Sequence, residues 1–338
     1  MLRRYLPSVV EHTKESDSEI GKEDCEIVVA DNGSEDESME LLAKEFPTVH
    51  VLPFERNYGF AEGYNKALEA TEAEYTVLLN SDVEVTAGWL APLLDYMDAH
   101  PETAACQPKV LSWKDKSKFE HAGAAGGHID AFGYPFCRGR VMSEVETDHG
   151  QYDNIAPVFW ATGACLCIRT AVYKQAGGLD AGFFAHMEEI DLCWRLNCRG
   201  WKVVCIPQSV VYHLGGGALD YSNPRKTYLN FRNNLLMIYK NMPSGRLPVV
   251  LFCRFWLDWL AAFVYLLKGQ TGNFKAVGNA RADYHRLKKQ YKAKRAENLR
   301  LATVPYPSVI YSGSVILAHY TGRKLRFPSS ADTTDRAE

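Results

Sequence analysis

The segment CEIVVADNGSEDESMELLAKEF, residues 25–46, predicts a strand, a polar turn and a helix in direct succession. Residues 25–30 are rich in apolar and β-branched side chains, and Asp31 begins the turn. Ser34 and Glu37 have the spacing of a capping box for the helix that follows. Because strands alternating with helices build sheets with crossover helices, this segment favours an α/β fold.

The alternation continues on the C-terminal side of this segment. Strands are predicted over residues 49–54 and 75–79, with a helix over 60–70 between them. Each early strand ends in a polar cluster, which is where ligands bind in open α/β sheets. We therefore predict a ligand-binding α/β domain of mostly parallel strands over residues 1–242. The later elements predicted are strands over 160–168, 201–206 and 210–213 and helices over 170–176 and 188–199.

The composition limits the class of partner and the compartment. The chain has 338 residues, 46% of them hydrophobic, and a formal net charge of −3, so its overall charge indicates no nucleic-acid partner. The nine cysteines lack paired zinc-type spacing and lie mostly in apolar surroundings, which favours reduced, buried thiols. Because no signal peptide follows Met1, we expect the catalytic part to be cytoplasmic.

A different pattern follows the predicted domain. Leu247–Leu267 is apolar and about the length of a membrane span, but Arg254 and Asp258 near its middle make spanning costly. A basic helical segment over residues 281–300 follows, and the two together favour a helix lying in the interface of an anionic leaflet. The alternative is a helical appendage packed on the domain with a solvated basic face. The predicted divisions are a helical, membrane-associated appendage over 243–325 and a disordered tail over 326–338.

Two carboxylates separated by one residue follow the apolar strand predicted over residues 75–79. Asp82 and Glu84 can hold Mg²⁺ or Mn²⁺, because hard cations prefer carboxylate oxygens and keep open positions for phosphate. The alternative is a turn with solvated charges, which is the commoner origin of such pairs.

Two further polar clusters can contact a nucleotide. Asp31 at the end of the first strand can accept hydrogen bonds from a base or a ribose, although the same turn also suits a helix N-cap. The loop from Arg56 to Asn65 contains Gly59 and leads into a helix. Close backbone approach and the positive helix end suit a phosphate there, and the alternative is a simple turn.

A fourth cluster lies on the helix predicted from residue 188. Glu188, Asp191 and Arg195 fall on one helix face, so the arginine can hold one carboxylate while another acts as a base. An attacking hydroxyl must lose its proton, and a carboxylate within hydrogen-bond distance is the usual acceptor. A surface helix with internal ion pairs is the alternative.

The four clusters, in this order, resemble the family 2 glycosyltransferases, particularly their rhamnosyltransferase-like bacterial branch, over roughly residues 1–242. The resemblance implies a glycosyltransferase A-type fold, in which a nucleotide-binding sheet is flanked by helices, together with a divalent metal and an inverting single displacement. The matching stretches are Val29–Ser34, Asn57–Ala61 with Asn65, Leu79–Glu84, Gly163–Ala164, Glu188–Leu192 and Val211–His213.

The resemblance also implies roles for individual residues. Glu189 occupies the position usually assigned to the general base, where the family more often has Asp, so the choice among Glu188, Glu189 and Asp191 stays open. His213 matches a histidine that can complete the metal or diphosphate site, although a lone histidine on a strand is more often structural. The implied donor-binding residues are Asp31, Asn32, Ser34, Asn57, Gly59, Asn65, Asn80 and Asp82. The implied metal ligands are Asp82, Glu84 and His213, and the implied acceptor-side residues are Trp160, Gly163 and Ala164.

The start of the sequence departs from the family pattern. The family normally begins with a strand whose polar end contacts the nucleotide, and this sequence starts just after that strand. We expect poor stability or activity for this form, with a start codon assigned too late as the cause. An N-terminally extended form tested beside this one decides the question.

These inferences lead to a predicted function. We expect inverting transfer of a sugar from a nucleotide-sugar donor to an acceptor hydroxyl, in cell-surface polysaccharide or glycolipid assembly at the inner face of the cytoplasmic membrane. A lipid-linked glycan is the expected acceptor, and rhamnose from a thymidine donor or a hexose from a uridine donor is expected by resemblance. The alternatives are a degenerate sugar-nucleotide-binding protein without turnover, a nucleotidyltransferase, whose Gly-rich phosphate loop is missing here, and a membrane scaffold.

Overall fold

The computed structural model describes residues 1–14, 25–215, 223–323, 325 and 327. Nearly all of the predicted tail over 326–338 lies outside the described residues. The described helices are α1 (Leu2–Lys14), α2 (Ser38–Glu45), α3 (Gly59–Glu69), α4 (Ala91–Ala99), α5 (Thr170–Gln175), α6 (Glu188–Cys198), α7 (Pro224–Asn241), α8 (Leu247–Leu267), α9 (Thr271–Leu287), α10 (Lys292–Leu301) and α11 (Val315–Tyr320), with a 3₁₀ turn at Ala181–Phe183. The described strands are β1 (Val28–Asp31), β2 (His50–Pro53), β3 (Tyr75–Leu79), β4 (Val83–Val85), β5 (Thr103–Ser112), β6 (Gly127–Ile129), β7 (Pro135–Cys137), β8 (Arg140–Val141), β9 (Glu144–Val145), β10 (Ala156–Pro157), β11 (Cys165–Arg169) and β12 (Lys202–His213).

The central sheet has the strand order β10-β12-β5-β11-β3, and β4 pairs with the far end of β12. Strands β5 and β12 are parallel, whereas β11 runs antiparallel to both of its neighbours. The predicted α/β class is confirmed, but the sheet is mixed rather than mostly parallel. The long non-helical region before β11 brings that strand back in the opposite direction, which a simple strand–helix alternation does not produce.

Two smaller sheets flank the central one. Strands β1 and β2 form a parallel pair that runs from Val28 opposite His50 to Asp31 opposite Pro53. Strands β6 to β9 form an antiparallel meander over residues 127–145, where the sequence shows no clear strand or helix period. These short strands are joined by tight turns, which explains why no single repeat dominates there.

Helices cover both faces of the central sheet. Residues 103–111 of β5 are all buried, as expected for a central strand covered on both sides. One core lies between the sheet and helices α3, α6 and α7, and its largest fully buried side chain is Trp194. A second core lies under α4, around Leu93 and Met97. The sheet is therefore held rigidly, and its strand ends can position side chains accurately.

Most predicted elements lie within a few residues of the observed ones, and two local predictions are wrong. The capping box is wrong, because α2 begins after Glu37 without a side-chain cap, and the Ser34 N–H donates to Asp31 instead. The two strands predicted over 201–206 and 210–213 are one strand, β12, with an irregular register between Ile206 and Val210. Strand β3 and helix α8 have the predicted bounds.

The C-terminal helices α8, α9 and α10 pack against helix α7. Helix α7 packs against α9, and α8 and α9 form an antiparallel hairpin in which Trp259 contacts Phe274. Among the described residues, α8 is the one helix long and apolar enough to cross a membrane, and 22% of its most apolar stretch is buried in the protein.

Candidate active site

Helix α6 begins at an unusual backbone turn. Phe184, His186 and Met187 all have positive φ angles, of 66°, 71° and 74°. Side chains other than glycine rarely adopt this conformation, and such residues persist where surrounding contacts fix them. The turn ends directly at Glu188 and Glu189, the first two residues of α6. Its geometry therefore determines where these two carboxylates point.

Helix α7 and helix α3 hold this turn. The Asn233 side-chain amide lies 2.8 to 3.0 Å from the carbonyl oxygens of Phe183, Ala185 and His186. The carbonyl oxygen of Phe184 accepts hydrogen bonds from the backbone N–H groups of Phe60 and Ala61. The phosphate site suggested for the start of α3 is wrong, because these two N–H groups are already used inside the protein.

Glu188 and Glu189 are carboxylates without compensating cations. In the described part of the chain, the Oε2 atoms of both residues are buried and have no hydrogen-bond partner. Burial, followed by the charge of Glu189, raises the pKa of Glu188 well above its usual range. Burial also raises the pKa of Glu189 to about 7, against the opposing effect of nearby backbone N–H groups. A carboxylate with a pKa near neutrality is suited to act as a general base.

Asp191 lies one turn further along α6 in opposite surroundings. Its Oδ2 accepts from Arg195 at 3.1 Å and from Lys240 at 2.8 Å, and its Oδ1 accepts from Asn241 at 2.8 Å. Lys240 also contacts Asp180 at 2.5 Å. Both oxygens of Asp191 are occupied by buried donors, so this carboxylate links α6 to α7 and is not available to take a proton.

The turn before β11 connects Glu189 to the end of β3. A Cβ atom placed on Gly163 would lie 3.9 Å from the Cβ of Glu189 and 3.2 Å from the Phe60 ring. The carbonyl oxygen of the next residue, Ala164, accepts from the backbone N–H of Asn80 at 3.0 Å. Residues 163–164 therefore lie between Glu189 and the strand end that leads to Asp82.

Trp160 does not line this region. It is 3% exposed, its Nε1 donates to the carbonyl oxygen of His128 at 2.9 Å, and its ring covers Gly127. These contacts give Trp160 a packing role in the core, and the predicted acceptor-side role does not fit its position.

Asp82, His213 and Glu120 form a row in which Glu120 and His213 are buried and Asp82 is partly exposed. Asp82 Oδ1 lies 3.1 Å from His213 Nε2, and Glu120 Oε2 lies 3.5 Å from His213 Nδ1. Burial opposes the charge of His213, but the contacts with the two carboxylates outweigh it and raise the pKa of His213 to about 9. Burial likewise opposes the charge of Asp82, and the contact with His213 nevertheless lowers the pKa of Asp82.

Glu84 is directed elsewhere. Its two oxygens accept from Trp113 Nε1 at 2.7 Å and from Lys116 Nζ at 2.6 Å. Within the described residues, no three carboxylate, histidine or cysteine side chains converge enough to hold a metal ion. The three-ligand metal site predicted from Asp82, Glu84 and His213 is therefore corrected to two side chains, Asp82 and His213.

Two ligands from the chain suit Mg²⁺ or Mn²⁺. Such ions are commonly held by one or two protein groups, with substrate phosphates and water completing the coordination. His213 has the outer-sphere carboxylate that metal-binding histidines use, because Glu120 lies against its other ring nitrogen. Asp82 and His213 therefore fit a divalent metal shared with a diphosphate once His213 gives up the proton that faces Asp82, which binding of the cation would displace.

The predicted donor-binding loops are fastened to each other. Asn32 Oδ1 accepts from the Tyr58 N–H at 2.9 Å, and Asn32 Nδ2 donates to the Gly59 carbonyl oxygen at 2.9 Å. Asn57 Oδ1 accepts from the Gly59 N–H at 2.8 Å. Gly59 has a φ of +81°, and a Cβ there would lie 2.5 Å from the Phe184 ring, so the loop requires glycine. Asn32, Asn57 and Gly59 thus shape the loop beside Asp31.

Asn65 has contacts that need no ligand. Its Nδ2 donates to the Leu179 carbonyl oxygen at 2.8 Å, and its Oδ1 accepts from the Leu179 N–H at 2.9 Å and the Tyr173 hydroxyl at 2.6 Å. Asn65 therefore ties α3 to the segment after α5.

Two residues of this site were missed in the sequence. Glu120 lies in the region without a clear period, where nothing marks one carboxylate from another. Asn233 lies on α7, near the end of the domain predicted over residues 1–242. An asparagine on a helix gives no sign in the sequence that it bonds to a distant loop. The structure shows that Asn233 is fully buried. A buried side-chain amide requires a polar partner, and only the structure identifies that partner.

Comparisons with known proteins agree with the motifs. Residues 1–143 match the family described as "Glycosyl transferase family 2". The chain is 27% identical over 202 residues to the N-acetylglucosaminyl-diphospho-decaprenol L-rhamnosyltransferase of Mycobacterium tuberculosis strain H37Rv, a match that covers 55% of this chain and 66% of the relative. It is 26% identical over 215 residues to the O-antigen biosynthesis protein RfbC of Myxococcus xanthus, covering 63% of this chain and 16% of that protein. The resemblance to rhamnosyltransferase-like members of family 2 is confirmed.

Solved structures agree with the fold. S. aureus TarS 1–349 superimposes with a TM-score of 0.55 at 15% sequence identity, covering 96% of this chain and 90% of that one. GalNAc-T7, crystallised with UDP, GalNAc and Mn²⁺, gives a TM-score of 0.53 at 16% identity over 86% of this chain and 54% of that one. The predicted glycosyltransferase A-type fold is confirmed.

Proposed function

We propose, from its place among the family 2 glycosyltransferases, that this chain transfers a sugar from a nucleotide-sugar donor to an acceptor hydroxyl with inversion at the anomeric carbon. The observation that carries the proposal is the pair of sites on either side of residues 163–164. On one side lies Glu189, a carboxylate without a cation. On the other lies the strand end that leads to Asp82 and His213.

Glu189 acts as the base in this proposal. The acceptor hydroxyl gives its proton to Glu189 while its oxygen bonds to the anomeric carbon, and the bond from that carbon to the diphosphate oxygen breaks. A raised pKa near 7 suits this task, because about half of the carboxylate is ionised at pH 7 and it is basic enough to take the proton. Burial raises the pKa of Glu188 beside it, which favours the neutral form of Glu188 and so limits the negative charge at this position.

Asp82 and His213 would hold a divalent metal against the donor diphosphate. When bound, the metal neutralises the negative charge that develops on the departing diphosphate. The chain itself supplies the rigid support, since Asp82 follows β3 and His213 ends β12 in the central sheet. Asp31 lies in the loop fastened by Asn32, and we assign it to the donor base or ribose. Ser34 lies in the same loop and Asn80 directly follows β3, and we assign both to donor binding.

The names of the relatives suggest the class of substrate. Rhamnosyl transfer to a lipid-diphosphate-linked sugar and O-antigen assembly are named for two of them. We infer a role in cell-surface polysaccharide assembly, with a rhamnosyl or hexosyl donor, a lipid-linked glycan acceptor and a position at the inner face of the cytoplasmic membrane. The division into a catalytic part over 1–242 and a helical part over 243–325 belongs to this proposal.

The test is donor consumption by purified protein with Mg²⁺ or Mn²⁺. A panel of thymidine and uridine diphosphate sugars is screened for thermal stabilisation, and each stabilising donor is then assayed for release of nucleoside diphosphate. We expect turnover that is lost in Asp82→Ala and Glu189→Gln while both variants stay folded. The exposed Glu74→Gln variant, at 75% side-chain exposure, is the matched control. Stabilisation by donors without any turnover would instead support a sugar-nucleotide-binding protein.

A further inference from the structure

Helix α8 has its polar and apolar sides reversed with respect to an ordinary surface helix. The stripe that faces the protein consists of Val250, Arg254, Asp258 and Ala262, at a spacing of four residues. The large apolar side chains face outward instead. Those at least one-third exposed are Val249, Phe252, Phe255, Trp256, Trp259, Leu260, Phe263, Val264, Leu266 and Leu267. Monomeric proteins rarely expose such a large apolar patch without a partner.

The two charges that argued against a membrane span are held by the catalytic domain. Arg254 Nε donates to Asp258 Oδ1 at 3.0 Å, and Arg281 of α9 donates to Asp258 Oδ2 at 2.6 Å. Arg254 also contacts Asn234 on α7 and the Phe132 carbonyl oxygen. A helix fixed along one side by a buried ion cluster cannot separate from the domain to cross a bilayer.

The distribution of charge identifies the partner. Residues 243–338 contain 16 Lys and Arg against 6 Asp and Glu, whereas residues 1–242 contain 22 against 35. Exposed cations also lie at both ends of α8, Arg246 before it and Lys268 after it, and Lys275 follows on α9. An apolar helix face bordered by cations complements an anionic leaflet, where each cation near the surface adds to the attraction. A second copy of the chain would bring the same positive charges together.

We propose that α8 lies in the plane of an anionic lipid leaflet, with its outward apolar face among the acyl chains and its Arg254–Asp258 stripe fixed to the catalytic domain. This deepens the membrane position in the proposed function by assigning the surface and its orientation. The ion cluster joins α8 to α7, and α7 also carries Asn233, which holds the turn before Glu189. These contacts connect the proposed lipid-facing helix to the turn that positions Glu189.

Flotation of the full chain with vesicles tests this proposal. We expect binding to phosphatidylcholine vesicles that contain phosphatidylglycerol and weaker binding to phosphatidylcholine alone. The double variant Phe252→Ser, Trp256→Ser should lower the partition coefficient roughly tenfold or more, because two large side chains lose apolar burial. The double variant Leu317→Ser, Tyr320→Ser, with comparably exposed apolar residues outside α8, should bind like the unmodified chain.

Three results would overturn the proposal. The first is unchanged vesicle binding in the Phe252→Ser, Trp256→Ser variant. The second is a stable dimer in sedimentation velocity that this variant abolishes and that lipid does not dissociate. The third is tryptophan quenching that is strongest with lipids brominated at the bilayer centre, which indicates a crossing helix. Donor hydrolysis in lipid-free solution is measured on the same samples, so failure of the membrane surface is distinguished from failure of the transferase.

A second inference concerns Glu120, and it rests on the proposed metal site. Glu120 is 4% exposed and lies 3.5 Å from His213 Nδ1, on the opposite side of the ring from Asp82. Its other contacts leave it little freedom, since it accepts from the Ala122 N–H and a Cβ on Gly215 would lie 2.5 Å from its Oε1. We infer that Glu120 is a positioning residue that fixes the ring orientation of His213, so that Nε2 faces the metal.

Mn²⁺ binding to the protein without donor tests the role of Glu120. We expect Glu120→Ala and Glu120→Gln to weaken Mn²⁺ binding about 10- to 100-fold, measured by electron paramagnetic resonance of free Mn²⁺. Glu74→Gln should bind Mn²⁺ as the unmodified chain does. Unchanged Mn²⁺ affinity in Glu120→Gln, with an unchanged thermal midpoint, would overturn the role. Absence of Mn²⁺ binding in the unmodified chain would instead reject the metal site itself.

Discussion

Glu189 and Asp191 lie two residues apart at the start of α6, and their surroundings are opposite. Asp191 is buried against Arg195, Lys240 and Asn241, so its charge is compensated on every side. Glu189 is half-buried with its Oε2 covered, no cation among the described residues pairs with it, and burial raises its pKa to about 7. Burial alone therefore does not identify a reactive carboxylate, since the partners decide whether a buried charge stabilises the fold or remains available for chemistry.

The largest expected effect separates the two residues by activity. Glu189→Gln keeps the size of the side chain but cannot take a proton, so turnover should fall on the order of 10³-fold. Turnover is measured with donor and acceptor; donor affinity serves as a control that should not change, and a thermal midpoint that does not fall shows that the variant is folded. Retention of more than about a tenth of the turnover would assign the base elsewhere, with Glu188→Gln as the next variant to measure.

The second effect separates them by stability. Asp191→Ala leaves Lys240 and Arg195 buried without a shared partner, so the free energy of unfolding should fall by about 3–5 kcal/mol. Urea unfolding measures the change, and Glu74→Ala on the surface is the control. A loss below about 1 kcal/mol combined with abolished transfer would mean that Asp191 takes part in the chemistry.

The third effect is the pH dependence of transfer. The base must be ionised, so kcat/KM should rise roughly tenfold per pH unit below about 7 and level off above it. If the base were instead a group with the ordinary carboxylate pKa, kcat/KM would be constant across this pH range. Values of kcat/KM measured between about pH 5.5 and 8.5 in the unmodified chain decide between these two pH profiles.

The smallest effect is on stability at alkaline pH. The pKa of Glu189 is about 7 in the folded chain and 4.5 for an ordinary glutamate, so the unfolded chain loses its proton first. The free energy of unfolding should therefore fall as pH rises from about 4.5 through about 7. Glu189→Gln should remove this fall and raise stability at pH 8 by at most about 3 kcal/mol in thermal or urea unfolding. Lower stability of the variant at pH 8 would mean that the Glu189 charge is compensated after all.

The sequence was informative where a local pattern is sufficient. Strand β3 and helix α6 follow from their apolar period, and the cluster order resembled the family whose model matches residues 1–143. The glycine at position 163 also lies beside Glu189, as its acceptor-side assignment requires.

The sequence misled where side-chain direction depends on a turn. Asp82 and Glu84 would share a face if both lay in one strand, but β4 begins at Val83, so the turn alone directs Asp82. Within β4, Val83 and Val85 are buried and Glu84 points to the other side, toward Trp113. The roles of Glu120 and Asn233 depend on contacts between residues far apart in the chain, which no spacing rule contains.

The reversed polarity of α8 has a practical consequence for handling the protein. When expression is poor, an apolar helix such as α8 is an obvious segment to delete. Deleting α8 would leave Arg281 facing an empty position and Asn234 without its arginine, and the neighbouring helix that carries Asn233 would loosen. A more soluble variant should keep α8 and replace only outward-facing residues such as Phe252, Trp256 and Leu260 with polar ones.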